Sequence, residues 1–229
     1  MLETALEKMA AAVASEHIPR GAVVGMGSGS TVARFAVALG RRNAAEHLGI
    51  TIVPSSMQAW FLARENGLSL HADSAHCPES IDVAVDGADQ ISTTSRSKIK
   101  GGGGALLKEK ILLTSARESY ILADEAKFVD LMTRAVPVEV TQFALTSVEH
   151  KLISQLGAIP HLRKLDKGYP FYTESGNVIL DSTFQGGIPD PVVLERSIKM
   201  IPGVVEAGLF NCPVNGFYQA RSDGSYSRL

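Results

Sequence analysis

The sequence predicts an α/β protein with two domains: a parallel sheet covered by helices, and a smaller ferredoxin-like α+β domain. In the first part of the chain, short apolar segments alternate with helical segments, the pattern of a parallel sheet. After Pro137 the order becomes strand, helix, strand, strand, helix, strand, which is typical of a ferredoxin-like unit. We therefore assign residues 1–134 and 211–229 to the first domain and residues 135–210 to the second.

Composition and charge favour small-molecule chemistry. The chain has 229 residues, of which 45% are apolar, and its 22 basic and 24 acidic residues leave a formal charge of −2. Such a balance provides no field to attract nucleic acid or an anionic membrane. We see no basic region followed by an apolar run and no membrane-length apolar window, and we expect a cytoplasmic protein. Cys77 and Cys212 are isolated, which favours reduced thiols.

The predicted elements follow from local spacing. Apolar residues at steps of three and four from Leu2 predict a helix that ends before Pro19, and residues 22–26 predict a strand. Further strands are predicted at 50–53, 68–70, 81–85, from 120, and at 137–141, 161–165, 177–181 and 203–210. Further helices are predicted from 32, at 56–66, from 105, and at 147–155 and 191–200. The tail from Gly216 is expected to return to the first domain.

A glycine-rich turn follows the first strand. Strand, glycine-rich turn and helix is the arrangement that places a phosphate at a helix N-terminus. The candidate phosphate ligands are Ser28, Gly29, Ser30 and Thr31. The glycines do not fit G-x-G-x-x-G, no Lys-Ser or Lys-Thr completes a P-loop, and no acid follows the strand 50–53, so a dinucleotide is disfavoured. A monophosphate site and a purely structural tight turn both stay open.

Two carboxylates come directly after the strand 81–85, in the segment Asp86-Gly87-Ala88-Asp89. Acids three residues apart on a flexible turn can face one cavity, where their repulsion separates their pKa values and suits them to proton transfer. Asp and Gly also form ordinary turns, so a structural explanation is equally open.

Lys100 precedes four consecutive glycines. Each glycine costs roughly 0.5–1 kcal/mol against alanine in regular structure, so the run indicates unusual dihedrals or a close approach to the backbone. Because a helix is predicted from Ala105, the loop amides form an anion site, and Glu109 lies about one turn inside the helix. A flexible surface loop is the alternative. Lys127, after the next strand, either reaches a phosphate or is solvated.

Other catalytic classes are excluded by motif. The six histidines are scattered without metal-ligand spacing, and no G-x-S-x-G elbow is present. We therefore expect neither metal-dependent hydrolysis nor serine catalysis.

Taken together, these segments resemble the ribose-5-phosphate isomerase family of type A over nearly the whole chain. The blocks that carry the resemblance are residues 25–31, 53–56, 86–89, 100–110, 123–127, 137–140, 176–181 and 201–210. The resemblance implies a Rossmann-like domain with a ferredoxin-like one, a homodimer or homotetramer, a sugar-phosphate substrate and no cofactor. The chain departs from the family's usual pattern at Glu7, Ser28, Gln90, Glu174 and Ser175.

The resemblance also implies roles for individual residues. Glu109 is expected to be the catalytic base, with Asp86, Asp89 and Lys100 around the reacting oxygens. The expected substrate-binding residues are Ser28, Gly29, Ser30, Thr31, Gly87, Ala88, Gly101, Gly102, Gly103 and Lys127.

The implied reaction is the interconversion of ribose 5-phosphate and ribulose 5-phosphate through an enediol(ate), within the non-oxidative pentose phosphate pathway. A sugar-phosphate sensor without turnover is one alternative, although the chain has no spare segment for a helix-turn-helix. A related sugar-phosphate deaminase or coenzyme A transferase is the other.

Overall fold

The structure is a computed structural model that describes residues 1–73 and 76–229. It divides into two compact units. The first unit comprises Met1–Ala88, Lys108–Lys127 and Pro213–Leu229, and the second comprises Asp89–Leu107 and Phe128–Cys212.

The regular elements are numbered in chain order. The α-helices are α1 (Leu2–Glu16), α2 (Ser30–Glu46), α3 (Met57–Glu65), α4 (Leu106–Ser115), α5 (Leu145–Leu156) and α6 (Pro191–Lys199). The strands are β1 (Val23–Met26), β2 (Thr51–Pro54), β3 (Ser69–Leu70), β4 (Ile81–Asp86), β5 (Gln90–Ser92), β6 (Lys98–Ile99), β7 (Ala116–Asp124), β8 (Phe128–Val129), β9 (Val136–Val140), β10 (Ala158–Leu162), β11 (Val178–Phe184), β12 (Val204–Ala207), β13 (Leu209–Phe210), β14 (Gly216–Ala220) and β15 (Tyr226–Arg228).

The first unit is built on a seven-stranded sheet in the order β15-β14-β7-β4-β1-β2-β3. Neighbouring strands from β14 to β3 pair in parallel, and only β15 at the edge is antiparallel. This confirms the predicted parallel sheet. The chain moves outward from β1 in one direction through β2 and β3, and in the other through β4, β7 and β14. Ligands of such sheets bind outside the carboxyl ends of the strands, where the order reverses, which here is between β1 and β4.

Helices α1 and α2 cover one face of this sheet because their apolar residues repeat at helical spacing. Met9 and Val13 of α1 and Phe35 and Leu39 of α2 are fully buried in one core with strand residues such as Val85. Full burial stabilises each such side chain by about 1.5–3 kcal/mol.

Helix α4 covers the neighbourhood of β1, β2 and β4. Its Leu112 packs with Val53 and Ile81, and the Cβ of Leu112 lies 3.4 Å from where a Cβ on Gly25 would stand. Glycine at position 25 therefore allows the helix to approach the strand closely.

The second unit contains an antiparallel sheet in the order β10-β11-β9-β12. Because β9, β10, β11 and β12 follow one another along the chain, with α5 after the first strand and α6 after the third, the arrangement is the predicted ferredoxin-like one. Val138, Leu180, Leu152 and Ile198 lie in its core with 0% exposure. The strand predicted at 161–165 begins earlier, at Ala158.

A second small sheet, in the order β13-β6-β5-β8, lies in the same unit and is not predicted from the sequence. β5, β6 and β8 have two or three residues each, which is too short for a period to be recognised, whereas β13 is the end of the strand predicted at 203–210. The predicted domain boundary assigns residues 89–107 to the first domain, whereas they group with the second unit because β5 and β6 pair with β8 and β13.

Candidate functional site

The turn after β1 presents the N-terminus of α2. Gly27 N–H donates to Val85 O at 2.9 Å, and Gly29 is the N-cap residue of α2 with a φ of 97°. Such a φ is unfavourable for residues with a Cβ. Glycine also has no side chain to cap the helix, so the first amides of α2 stay available to an anion that the helix dipole attracts. Ser30 and Thr31 open the helix at this point.

Hydroxyl groups from the next strand hold this turn. Ser28 Oγ lies 2.8 Å from the Oγ atoms of both Ser55 and Ser56. Ser55 is fully buried, and Ser56 also caps α3 by accepting the amide of Ala59 at 3.2 Å. The turn is thereby joined to the start of α3.

Gln58 of α3 contacts the same turn. Its Oε1 accepts the N–H of Gly29 at 2.9 Å. The roles of Ser55, Ser56 and Gln58 are not predicted from the sequence. Their position after a strand could have identified them: residues 55–58 directly follow the carboxyl end of β2, which pairs in parallel with β1.

Asp86 ends β4 beside the turn, and it is only 2% exposed. Its Oδ1 accepts the N–H of Gly87 at 2.7 Å and that of Ser28 at 3.3 Å. A Cβ on Gly27 would overlap the Asp86 carboxylate, so glycine at position 27 is what allows this approach. Asp86 and the predicted phosphate turn therefore form one packed unit.

Glu109 lies in the first turn of α4 and is 4% exposed. The last residue of α4 directly precedes Ala116, which pairs with Ile81 at the amino end of β4, so the N-terminal half of α4 lies toward the carboxyl edge of the sheet. Glu109 lies three residues before Leu112, so the two side chains share one face of α4. Glu109 is about 4.5 Å closer than Leu112 to the carboxyl edge of the sheet. The structure thus brings Glu109 to the edge where Ser28 and Asp86 lie.

Three further predicted positions lie at the same edge. Lys127 ends the 3₁₀ helix that follows β7, and it is half-buried. Gly87 follows Asp86, and a Cβ there would lie 3.7 Å from Leu122 O and 4.0 Å from Ser28 O, with Ala88 next along the chain.

The remaining predicted residues belong to the second unit. Lys100 is 3% exposed, its N–H donates to Gly208 O at 2.9 Å, and its Nζ lies 5.6 Å from the ring centre of Phe210. Such a cation over an aromatic face is a favourable pairing.

The glycine loop is held in a defined shape. Gly101 and Gly104 have φ values of 98° and 83°, which other residues rarely adopt, and Gly104 N–H donates to Gly101 O at 3.0 Å. Gly102 N–H donates to Oδ2 of Asp89 at 2.9 Å. Asp89 and the loop therefore form one hydrogen-bonded group, with Gly103 between Gly102 and Gly104. A loose surface connection would lack these contacts.

Residues 1–73 and 76–229 contain neither a candidate metal site nor a candidate membrane-spanning helix. No group of three or more His, Cys, Asp or Glu side chains is arranged to hold a metal ion. No helix in these ranges combines the length and the apolar character needed to cross a membrane.

The chain is similar to known proteins over most of its length. The family model described as ribose 5-phosphate isomerase A (phosphoriboisomerase A) matches residues 51–224. The ribose-5-phosphate isomerase A of Methanosarcina acetivorans is 44% identical over 221 residues, covering 96% of this chain and 92% of the relative. That of Methanothermobacter thermautotrophicus is 43% identical over 207 residues, covering 90% and 89%.

Solved structures are similar over the whole length. Ribose 5-phosphate isomerase A from Methanocaldococcus jannaschii has a TM-score of 0.91 at 33% identity, covering 100% of this chain and 99% of the other. A D-ribose-5-phosphate isomerase in complex with phospho-erythronic acid has a TM-score of 0.89 at 35% identity, covering 98% and 97%.

Proposed function

The chain belongs to the ribose 5-phosphate isomerase A family, and from this premise we propose how its residues interconvert D-ribose 5-phosphate and D-ribulose 5-phosphate. The reaction moves one proton between C1 and C2 and another between O1 and O2. Nothing is oxidised overall, so the chemistry requires acids, bases and oxyanion donors, and no cofactor.

The phosphate binds at the N-terminus of α2. The amides and hydroxyls of Ser30 and Thr31 supply donors, while Ser28 and Gly29, whose own N–H groups are held by Asp86 and Gln58, shape the turn before them. Lys127 adds a positive charge at the same edge of the sheet. The phosphate is remote from the reacting carbons, so its binding energy serves to position them. A phosphorylated analogue bound to a similar structure supports this class of ligand.

Glu109 is the base that transfers the carbon-bound proton. Its burial in the first turn of α4, at the edge shared with Ser28 and Asp86, is the observation that carries this proposal. One carboxylate can remove the proton from one carbon and return it to the other on the same face of the enediolate. A positioned base of this kind typically contributes about 10²–10⁴ in rate.

Lys100 and the glycine-loop amides stabilise the negative charge that develops on the enediolate oxygen. Donors in such a position are typically worth about 10²–10³ in kcat each. Asp86 and Asp89 serve in opening the sugar ring and in moving the oxygen-bound proton. Gly87, Ala88, Gly101, Gly102 and Gly103 complete the backbone around the substrate.

Exchange with solvent deuterium tests the role of Glu109. The wild type, given ribose 5-phosphate with a chelator and no added cofactor, is expected to form the ketose and to incorporate deuterium at carbon. Glu109→Gln should keep the fold and phosphate binding but lose this exchange. The exposed Glu65, at the end of α3 in the same unit, provides the matched control Glu65→Gln.

The outcomes of this experiment separate the alternatives. Full exchange in Glu109→Gln would refute the assignment of the base. Binding without turnover by the wild type would favour a sensor, and ammonia release from an amino sugar phosphate or a requirement for a thioester would favour the deaminase or the transferase.

We also propose that the protein acts as a homodimer or homotetramer in the cytoplasm, within the non-oxidative pentose phosphate pathway. The second unit supports self-association because large apolar side chains are exposed on it, among them Phe143, Ile153, Ile159 and Met200. Sedimentation equilibrium should give a multiple of the 24.4 kDa chain mass, whereas a single chain mass at all concentrations would refute the assembly.

A further inference from the structure

Arg163 follows β10 in the second unit and connects the ferredoxin-like sheet to the glycine loop. Its side chain is 16% exposed and forms a bidentate pair with Asp181 of β11, with Nε to Oδ2 at 2.8 Å and Nη2 to Oδ1 at 2.5 Å. A planar fork of this kind fixes the orientation of the guanidinium as well as its position.

The third nitrogen of Arg163 is directed at the loop. Nη1 donates to Gly101 O at 2.9 Å and to Gly102 O at 3.1 Å. Two successive carbonyl groups of the loop are therefore turned toward one cation.

The orientation of these carbonyls determines where the loop amides point. In a trans peptide the N–H points opposite to the C=O, so the N–H groups of Gly102 and Gly103 are directed away from Arg163. The first of them confirms this, since Gly102 N–H donates to Asp89 Oδ2 at 2.9 Å. The amide of Gly103 is presented on the same side as Asp89.

A second contact holds the loop from its other end. A Cβ on Gly104 would lie 2.5 Å from the ring of Phe171, and Arg163 lies 5.8 Å from the centre of that ring. Phe171 N–H also donates to Arg163 O at 2.9 Å, so a backbone hydrogen bond joins the two residues that contact the loop.

We propose that Arg163 is a positioning residue for the isomerisation: it keeps the Gly102 amide on Asp89 and directs the Gly103 amide toward the reacting oxygens. This inference rests on the proposed function, because it assigns the Gly103 amide to the enediolate. Arg163 contacts the loop carbonyls and acts on the substrate only through the loop. Lysine cannot replace it, since one ammonium cannot form the fork with Asp181 and also bind two carbonyls with fixed geometry.

Steady-state kinetics of Arg163→Ala and Arg163→Lys test the proposal, with Arg196→Ala as the matched control, because Arg196 is an exposed arginine on α6 of the same unit. Both Arg163 variants are expected to lower kcat by about 10²-fold, the loss typical of one displaced oxyanion donor, with little change in KM. The control should keep the wild-type kcat.

Chemical rescue separates positioning from mere structural support. Guanidinium ion at millimolar concentration should restore part of kcat in Arg163→Ala and none in Arg163→Lys, whose side chain still fills the position. Asp181→Asn, which keeps the guanidinium but weakens the fork, should show a smaller loss of kcat.

Two results would overturn the inference. One is an unchanged kcat in folded Arg163→Ala. The other is a loss of kcat that guanidinium does not restore and that parallels the decrease in melting temperature across Arg163→Ala, Arg163→Lys and Asp181→Asn. Should Arg163→Ala fail to fold, Asp181→Asn decides alone, because an unchanged kcat there refutes the role of the fork. A wild type without isomerase activity would instead refute the proposed function.

Discussion

At the scale of single residues, the turn of residues 27–31, which we propose binds the phosphate, is held by side chains that come from elsewhere in the chain. Ser28 Oγ contacts two hydroxyls that follow β2, and the Gly29 amide is bound by Gln58. A turn that is ordered before it meets its ligand loses less conformational entropy on binding, which improves affinity.

Gln58→Ala should weaken phosphate binding, because the Gly29 peptide is then free to rotate. One net hydrogen bond contributes about 0.5–1.5 kcal/mol, so KM for ribose 5-phosphate should rise roughly 2- to 10-fold while kcat changes little. Inhibition by inorganic phosphate should weaken in parallel. Gln155→Ala, at an exposed position of α5, is the control. A wild-type KM in Gln58→Ala would contradict the prediction.

His17, at the end of α1, makes stability depend on pH. Burial, and then the charge of Arg228, lower the pKa of His17 below its ordinary 6.5, while its ring stacks on Tyr120 at 3.9 Å and its Nε2 lies 2.6 Å from Tyr218 Oη. The unfolded chain therefore binds a proton at higher pH than the folded protein does. The free energy of unfolding should fall as pH decreases below 6.5 toward the lowered pKa.

Urea unfolding between pH 7.5 and 5 measures this dependence of stability on pH, in about the range where histidine titrates. In His17→Gln the decrease in the free energy of unfolding should be smaller than in the wild type. An equal slope in both proteins would show that other groups cause it.

At the scale of elements, the site depends on how closely the end of β4 and helix α4 approach the end of β1. Residues 25 and 27 lack a Cβ where α4 and Asp86 approach β1. One approach brings the Asp86 carboxylate against the turn that leads into α2, and the other lets α4, the helix that carries Glu109, lie close to β1. Glycine at positions 25 and 27 therefore allows α4 and Asp86 to lie close to β1 and to the turn that follows it.

Gly27→Ala should disrupt this arrangement, because the new methyl group overlaps the Asp86 carboxylate. We expect about 1–3 kcal/mol of destabilisation, the usual cost of overpacking, together with a large loss of kcat/KM. Gly40→Ala is the matched control, since its methyl group overlaps Asn66 in α2's contact with α3, away from the acids. It should lose stability but keep the kcat of the folded fraction. A kcat/KM for folded Gly27→Ala as high as that of Gly40→Ala would contradict the prediction.

At the scale of the whole molecule, the first unit is completed by the end of the chain. β14 pairs in parallel with β7, with Tyr218 opposite Leu122, and Tyr218 is 1% exposed in the core of the unit. The last strands thus complete a sheet that the first residues begin. The unit needs chain segments that are more than 200 residues apart, as the contact between His17 and Tyr218 illustrates.

Truncation after Cys212 should therefore abolish folding of the first unit, because it removes β14 and exposes β7 as an unpaired edge. Truncation after Ala220, which removes β15 but keeps β14, should leave a soluble protein of lower stability. Circular dichroism and the soluble fraction after expression distinguish the two. Equal stability of both truncations would refute the role given to β14.

The sequence by itself determined the α/β class, the parallel sheet and the ferredoxin-like order of the second unit, because hydrophobic periodicity and turn residues act within a few positions. It also singled out Asp86 and Glu109 by their places after a strand and inside a glycine-led helix. Their roles stay predictions that the substitutions above test.

Only the tertiary structure decided which distant residues meet. Gly29 lies beside Gln58 because β1 and β2 are neighbours, and Gly102 lies beside Arg163 because the loop packs on the sheet of the second unit. The short strands β5 and β6 pair with each other, and each also pairs with a strand that is remote in sequence, β8 and β13 respectively. Such contacts depend on the packing free energy of the whole chain, which cannot be read from a local pattern of residues.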